Sequence, residues 1–409
     1  FWSENHALMF HTCQLLAGEL FPDEVFTNSG LTGRQMQAKA KNMLYDWFVT
    51  FRKEGFTEWN SSPYLPIDTL GFGSLYAFAQ DPAMRELGRE GMDFAYYLLA
   101  VHSQQGIFAS SSGRTYIKEQ FGNWSNCPSG LSWIGYGYGV PGHAGKGITS
   151  YCLSDYEPPK ELAQWFSIPR GKEMICQTTQ GNDGYVDLYT YKTADYMMTS
   201  ANDFHPGEPG HQENPFQLTF NAVAQLWVTH PGERVLFGAA RPSYWAGNGT
   251  LPKVNQYKAF AGLIYDIAPE HPVDFTHLYL PSMEFDRCEV EGKWAFVQLG
   301  SAYAAVYCSN GMRMQNFGSN KDRECIAGGR RCIWLVRAAQ ADEFAVFEDF
   351  KAAMRGAALD ADAEGRRYRF VDPVYGELRC QWGETLYVND APMQYSGFDN
   401  YGKLTMQEK

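Results

Sequence analysis

Apolar side chains recur at helical spacing along the first hundred residues. Ser3 suits an N-cap, and Glu4 and Asn5 fill a first turn where carboxylate and amide groups are tolerated. Leu8, Phe10, Leu15, Leu16 and Leu20 follow, so the pattern predicts a helix over 3–20. Thr32-Gly33 opens a second helix, over 34–53, on Met36, Met43, Leu44, Trp47, Phe48 and Phe51, and Gly55 stops it. The polar and aromatic stretch from Phe56 to Tyr64 reads as a loop. A short helix is expected over Leu65–Ala79. Another starts at Pro82, capped by Asp81, and runs through Met92, Phe94, Tyr97, Leu98 and Val101. Short connections between such helices suit stacked helical hairpins.

From Gly106 the texture changes. Residues 106–150 are rich in Gly, Ser and aromatics and read as a long functional loop, followed by a helix over Pro158–Phe166. After about Glu173, short runs of β-formers alternate with turns. They are Tyr185–Tyr191, Gln217–Thr229, Arg234–Ala239, Ala259–Ile267, Phe275–Leu280, Cys332–Ala338, Glu343–Phe347, Arg367–Val371 and Thr385–Val388. Trp294–Leu299 and Tyr303–Cys308, separated by Gly300-Ser301-Ala302, give the clearest hairpin signal. Leu359–Gly365 reads as a solvated excursion. Strands without intervening helices indicate an antiparallel β-sandwich, so the expectation is an α+β chain with a helical domain over 1–170 and a sandwich over 171–409.

Length agrees with two domains, since 409 residues exceed one ordinary core. Aromatic residues reach 15% while charged ones stay at 20%, giving many flat amphipathic side chains of the kind that sugar clefts and cores both use. A net charge of −12 argues against a broad nucleic-acid footprint, so any anionic substrate must meet a local basic patch. Nine cysteines stand singly without a CxxC pair, unlike a zinc ribbon or a dense disulfide framework; their odd number leaves at least one thiol unpaired in a monomer. Asn60-Ser61-Ser62, Asn123-Trp124-Ser125 and Asn248-Gly249-Thr250 match the glycosylation pattern, which also arises often by chance. No apolar run approaches the roughly 18–20 residues that span a bilayer. The chain opens inside a helical pattern without an initiator Met, so a segment before Phe1 is expected and location cannot be read from a leader.

Three stretches carry a family resemblance. Ser3-Glu4-Asn5-His6 is similar to the Asn-His pair on a toroid helix of the heparinase II/III-like and alginate-lyase-like polysaccharide lyases. Glu58-Trp59-Asn60-Ser61-Ser62-Pro63-Tyr64 places a Tyr 58 residues after His6, similar to that family's spacing to its catalytic Tyr. Asp203–Asn214, with His205, His211 and Gln212, resembles the family's segment leading into the sandwich, and Arg241–Gly249 resembles a further loop. The resemblance implies an (α/α) toroid followed by an antiparallel β-sandwich. The helices read here are fewer than a complete toroid holds, so only its C-terminal part is expected. It also implies β-elimination on a uronic-acid polysaccharide, and a secreted or periplasmic location.

In that chemistry, donors must neutralise the uronate carboxylate before a base removes the C5 proton, and a proton must reach the leaving oxygen. The resemblance makes Asn5 and His6 the donors and Tyr64 the acid/base, with Arg114, His205 and Tyr244 as further catalytic candidates. Glu4, Trp59, Asn60, Tyr116, Trp133, Tyr136, His211, Gln212, Trp245 and Asn248 are the candidates for holding substrate. No cofactor is required, no nucleic-acid partner is expected, and a structural metal stays open.

Each candidate has a plainer alternative. Tyr64 follows Pro63 and equally suits packing its ring on a helix. Arg114 suits a surface pair with Glu119, and Trp133–Tyr138 suits packing as well as sugar stacking. His205 and His211 flank Pro-Gly turns; with Asp203 and Glu208 they offer metal-ligating atoms but no fixed metal spacing. Two rival functions stay open: a glycoside hydrolase using carboxylates drawn from Glu4, Glu58 and Asp68, and a carbohydrate-binding protein without catalysis. Gly71-Phe72-Gly73 lacks the third glycine of a dinucleotide fingerprint.

Overall fold

The structure is a computed structural model that describes residues 3–121, 127–141, 146–181 and 184–409. Asn123-Trp124-Ser125 and parts of the Gly/aromatic stretch lie outside those residues. The fold is α+β: helices come first and antiparallel sheets follow. The chain divides into two compact units, one of Phe1–Phe108, Asn123–Phe166 and Gln180–Gly184, the other of Ala109–Gly122, Ser167–Thr179 and Tyr185–Lys409.

The first unit is built on α1 (Glu4–Leu20), α2 (Gly33–Glu54), α3 (Leu65–Phe78) and α4 (Pro82–Val101). Local chemistry sets their ends. Thr32 and Gln35 form a capping box at α2, with Gln35 Oε1 accepting the Thr32 N–H at 2.9 Å, and Gly55 closes that helix at φ +66°. Asp81 accepts the Ala83 N–H at 2.9 Å ahead of Pro82, which has no N–H to leave unpaired. Leu8, Leu44, Phe48, Phe72, Leu75 and Leu98 are fully buried. Helices α3 and α4 approach closely because Gly91 presents no side chain: a Cβ there would lie 2.3 Å from the Phe72 ring.

The Gly/aromatic stretch is less of a loop than its composition predicts. It contains helices Ile117–Phe121, Cys127–Tyr136 and Ile148–Cys152. The second of these buries Ser129, Gly130 and Ser132 beside Leu131, so its inward face is small and polar and leaves no apolar periodicity to read. The helix expected over Pro158–Phe166 is a 3₁₀ turn, Lys160–Trp165.

The second unit holds a nine-stranded, a six-stranded and a five-stranded sheet. In the nine-stranded sheet the order is Arg313–Met314, Glu324–Gly328, Phe275–Tyr279, Gln225–Thr229, Phe216–Thr219, Met197–Asn202, Val186–Lys192, Lys172–Gln180, Lys403–Glu408. In the six-stranded sheet it is Arg287–Glu291, Trp294–Leu299, Ala302–Cys308, Arg331–Gln340, Phe260–Asp266, Lys253–Tyr257. Met198, Leu218, Val228 and Leu278 from the first share one apolar core with Phe260, Phe296, Val306 and Val336 from the second. Helix Phe347–Gly356 adds Phe347, Phe350 and Met354 to it.

Several strand expectations change in detail. The hairpin at 294–308 forms, with Leu299 opposite Ala302, so its loop is two residues and not three. Gln217–Thr229 is two strands, because the Asn221 side chain accepts the Val223 and Ala224 N–H groups and turns the chain. Arg234–Ala239 is not a strand: Glu233 accepts the Ala240 N–H at 3.0 Å and folds the segment back. Glu343–Phe347 is a turn into the helix, and Leu359–Asp362, expected to be solvated, pairs with Arg367–Asp372.

Candidate functional site

The candidate residues gather in each of the two units. In the first, Glu4 sits at the start of α1 and holds the loop after Gly55. Its two carboxylate oxygens accept the Thr57 N–H at 2.8 Å and the Glu58 N–H at 3.0 Å. Asp68, in the first turn of α3, is 1% exposed. Burial pushes the Glu4 carboxyl up to about 7; the Glu58 and Thr57 N–H bonds resist and the Glu58 charge adds to the rise. Asp68 is held well above the usual carboxyl range by burial first, then by the charges of Glu4 and Glu58. Three carboxyl groups therefore share one neighbourhood, where burial and mutual repulsion favour the protonated forms of Glu4 and Asp68.

The same loop buries polar groups without satisfying them. Both amide atoms of Asn60, the Ser62 hydroxyl and Asp68 Oδ1 have no hydrogen-bond partner among the described residues. Such groups cost free energy and mark places where something else is bound or strain is stored. Asn60 also sits at φ +48°. Asn5 is buried and His6 exposed; Ser3 Oγ lies 2.5 Å from Asn5 Oδ1 and 2.6 Å from His6 Nδ1, and the His6 ring stacks on Phe10. Trp59 is buried. Tyr64 is half-buried just before α3, where its carbonyl accepts the Ile67 and Asp68 N–H groups. Trp133 is exposed, whereas Tyr136 donates to the Pro159 carbonyl at 2.7 Å and packs on Phe166.

In the second unit, two distant sequence segments pair. Ser112 and Asn214 exchange backbone hydrogen bonds at 2.9 and 2.8 Å, Thr115 N–H donates to the Gln212 carbonyl, and Gln212 Nε2 donates to the Thr115 carbonyl at 2.7 Å. Beside this pairing lies a cavity of about 340 Å³, lined by residues that include Tyr116, Ile117, Lys118, Gln212, Arg241 and Ser243. Its lining is mostly apolar with a few polar groups, as ligand pockets tend to be. The Arg114 and Arg241 guanidiniums lie over the Tyr116 ring, at 5.7 and 5.5 Å from its centre, and Arg114 Nη2 is 3.3 Å from the Tyr116 hydroxyl. Gln212 is 3% exposed, and its Oε1, an acceptor, has no partner among the described residues. Lys118 is paired with Glu119 at 3.2 Å.

Tyr244, next to the lining residue Ser243, belongs to a buried network. Its hydroxyl donates to Glu324 Oε1 at 2.6 Å, His277 Nδ1 contacts the same oxygen at 2.7 Å, and Asn320 Nδ2 donates to Oε2 at 2.7 Å. Burial, then Glu324, keeps the Tyr244 phenol protonated far above its ordinary range, which makes it a poor base. Burial works against ionised Glu324, yet the bonds from His277, Tyr244 and Asn320 prevail and lower its pKa. Trp245 is buried and stacks on His277 with ring centres 4.1 Å apart. Asn248 is fully buried: it accepts from the His230 N–H and the Tyr265 hydroxyl and donates to the Glu213 carbonyl. Those bonds occupy the amide that sequence reasoning assigned to substrate.

His205, at φ +45°, packs against Tyr185 and Phe204 and pairs with Glu208 at 3.4 Å. His211 is exposed, its N–H bound to Glu213. Asp203 is bonded by Lys253 and Asn255, and no group of three metal-ligating side chains occurs among the described residues. No helix among them is long and apolar enough to cross a membrane. Glu324 and His277 were not singled out from sequence; they lie 80 and 33 residues beyond Tyr244, and only the strand pairing of Tyr279 with Glu324 brings them together. A scan against protein-family models finds no match to the chain, and no curated protein matches it.

Proposed function

We propose that the chain is a polysaccharide lyase of the helical-toroid plus β-sandwich kind, cleaving a uronic-acid polymer by β-elimination. The observation that carries this reading is the Tyr116 ring with the Arg114 and Arg241 guanidiniums over it, Tyr116 and Arg241 standing in the wall of the cavity. A net charge of −12 repels a polyanion in general, so a local pair of guanidiniums is what a uronate carboxylate requires. Arginine meets a carboxylate with two parallel N–H donors and draws off the charge that builds as the C5 proton leaves. Tyr116 is then placed to exchange a proton with the sugar, and Gln212 Oε1 to accept a sugar hydroxyl. In the first unit, Asn5, His6 and Tyr64 remain candidates through the resemblance. A polymer substrate of this kind is met in the periplasm or outside the cell.

One observation favours a second reading. Glu4 and Asp68 stand beside Glu58 with raised carboxyl pKa values, as a glycoside hydrolase requires of its acid. The products separate the two. Elimination leaves an unsaturated sugar that absorbs in the ultraviolet, whereas hydrolysis releases reducing ends without that absorbance. Incubation with a panel of uronate polysaccharides, followed by both readouts, decides between them; Tyr116→Phe and Arg241→Ala abolish the signal only under the lyase reading, Asp68→Asn only under the other.

A further inference from the structure

Two thiols used by neither reading meet inside the six-stranded sheet. Cys308 ends the strand Ala302–Cys308, and Cys332 is the second residue of its neighbour Arg331–Gln340, in which Trp334 lies opposite Cys308. Side chains two positions apart on a strand share a face, so Cys332 and Cys308 point to the same side. Both are 0% exposed, and their sulfur atoms are 3.3 Å apart. A disulfide holds its sulfurs at about 2.05 Å, so closure needs an approach of only roughly 1.2 Å.

The two sulfurs are not equivalent. Burial raises both thiols, but at Cys332 the hydrogen bonds from Cys308, Thr276 and Ser309 outweigh it and lower the pKa, while Cys308 is driven well above its ordinary range. One thiol is therefore primed as the nucleophile, and the other keeps its proton until the second step.

We infer that Cys308 and Cys332 are an oxidisable dithiol that closes to a disulfide across the sheet, with a small diffusible disulfide such as oxidised glutathione as the oxidant. The Cys332 thiolate attacks one sulfur of the oxidant, forming a mixed disulfide and expelling one glutathione thiolate. Cys308 then gives up its proton and attacks the Cys332 sulfur, and the second glutathione leaves as its thiolate. The protein pair loses two electrons and two protons, and the oxidant becomes two thiols. Full burial in the finished protein places this exchange late in folding, after the two strands have paired and before the core closes over the sulfurs, and it then shields the bond from reductants. The geometry holds whichever functional reading is correct.

The test is synthesis of the full chain in a cell-free system containing either oxidised plus reduced glutathione or reduced glutathione alone. Each product is then denatured in alkylating agent and digested without reduction. The expected result in the oxidising sample is one linked pair of peptides carrying Cys308 and Cys332, lighter by two hydrogens than the separate peptides. The oxidised protein melts roughly 5–10 °C above the reduced one, and that difference vanishes in Cys308→Ser and in Cys332→Ser. Recovery of both cysteines fully alkylated from the oxidising sample, or linked to Cys288 or Cys325, overturns the inference.

Discussion

Replacing Glu4 with Gln isolates the energetic consequence of crowding three carboxyl groups. The Glu4 pKa rises from an ordinary 4.5 to about 7 in the folded chain, so between those values the folded state binds more protons than the unfolded one. Stability is then complete below about pH 4.5 and declines as pH rises through 7, the sign expected when a carboxyl pKa is raised and not depressed. A rise of about 2.5 units at 1.36 kcal/mol each amounts to about 3 kcal/mol lost between pH 4.5 and pH 8. Glu4→Gln removes this loss. It also sets an amide N–H₂ against one of the two N–H donors, Thr57 or Glu58, at a cost of about 1–3 kcal/mol that is the same at either pH. The difference of differences is free of that cost. Urea unfolding followed by fluorescence at pH 5 and pH 8.5 is expected to show the variant gaining about 2–3 kcal/mol on the wild type across that interval. An equal pH dependence in the two proteins, or a wild type that gains stability with pH relative to the variant, would refute the argument.

Two further substitutions test the packing account. Asn248→Ala strands the buried His230 N–H, while the Tyr265 hydroxyl keeps the Val228 carbonyl, and is expected to lower stability by about 1–3 kcal/mol in urea titration while leaving activity per folded molecule unchanged. Gly91→Ala places a Cβ 2.3 Å from the Phe72 ring and is expected to cost about 1–3 kcal/mol despite alanine's better helix propensity, read as a lowered melting temperature.

How much of this was legible in the sequence differs by region. The long helices were readable because their apolar stripes and caps agree: Thr32, Gly55, Asp81 and Pro82 sit where local chemistry requires them. Cys127–Tyr136 was not, since buried serines and glycine replace the apolar face. The break in Gln217–Thr229 turns on one Asn221 side chain, which no period records. At the candidate site, the stretch around Arg114 and Tyr116 and the stretch around Gln212 could each be named as chemically rich. Their pairing through Ser112 and Asn214 is a long-range backbone contact that composition does not encode. Asn248 and Tyr244 show the opposite case: polar and aromatic residues in an attractive loop whose hydrogen bonds are taken up by His230, Tyr265 and Glu324.

The central claim is that the cavity beside Tyr116 performs β-elimination on a uronate polymer. It is tested most directly by following ultraviolet absorbance while the full-length protein is incubated with a panel of uronate polysaccharides, alongside Tyr116→Phe and Arg241→Ala. The account predicts a rise with at least one polymer and a rate at least about 100-fold lower in each variant, the scale on which lost acid/base or charge-stabilising groups act. A rise that survives both substitutions, or release of reducing sugar with no rise at all, would contradict it.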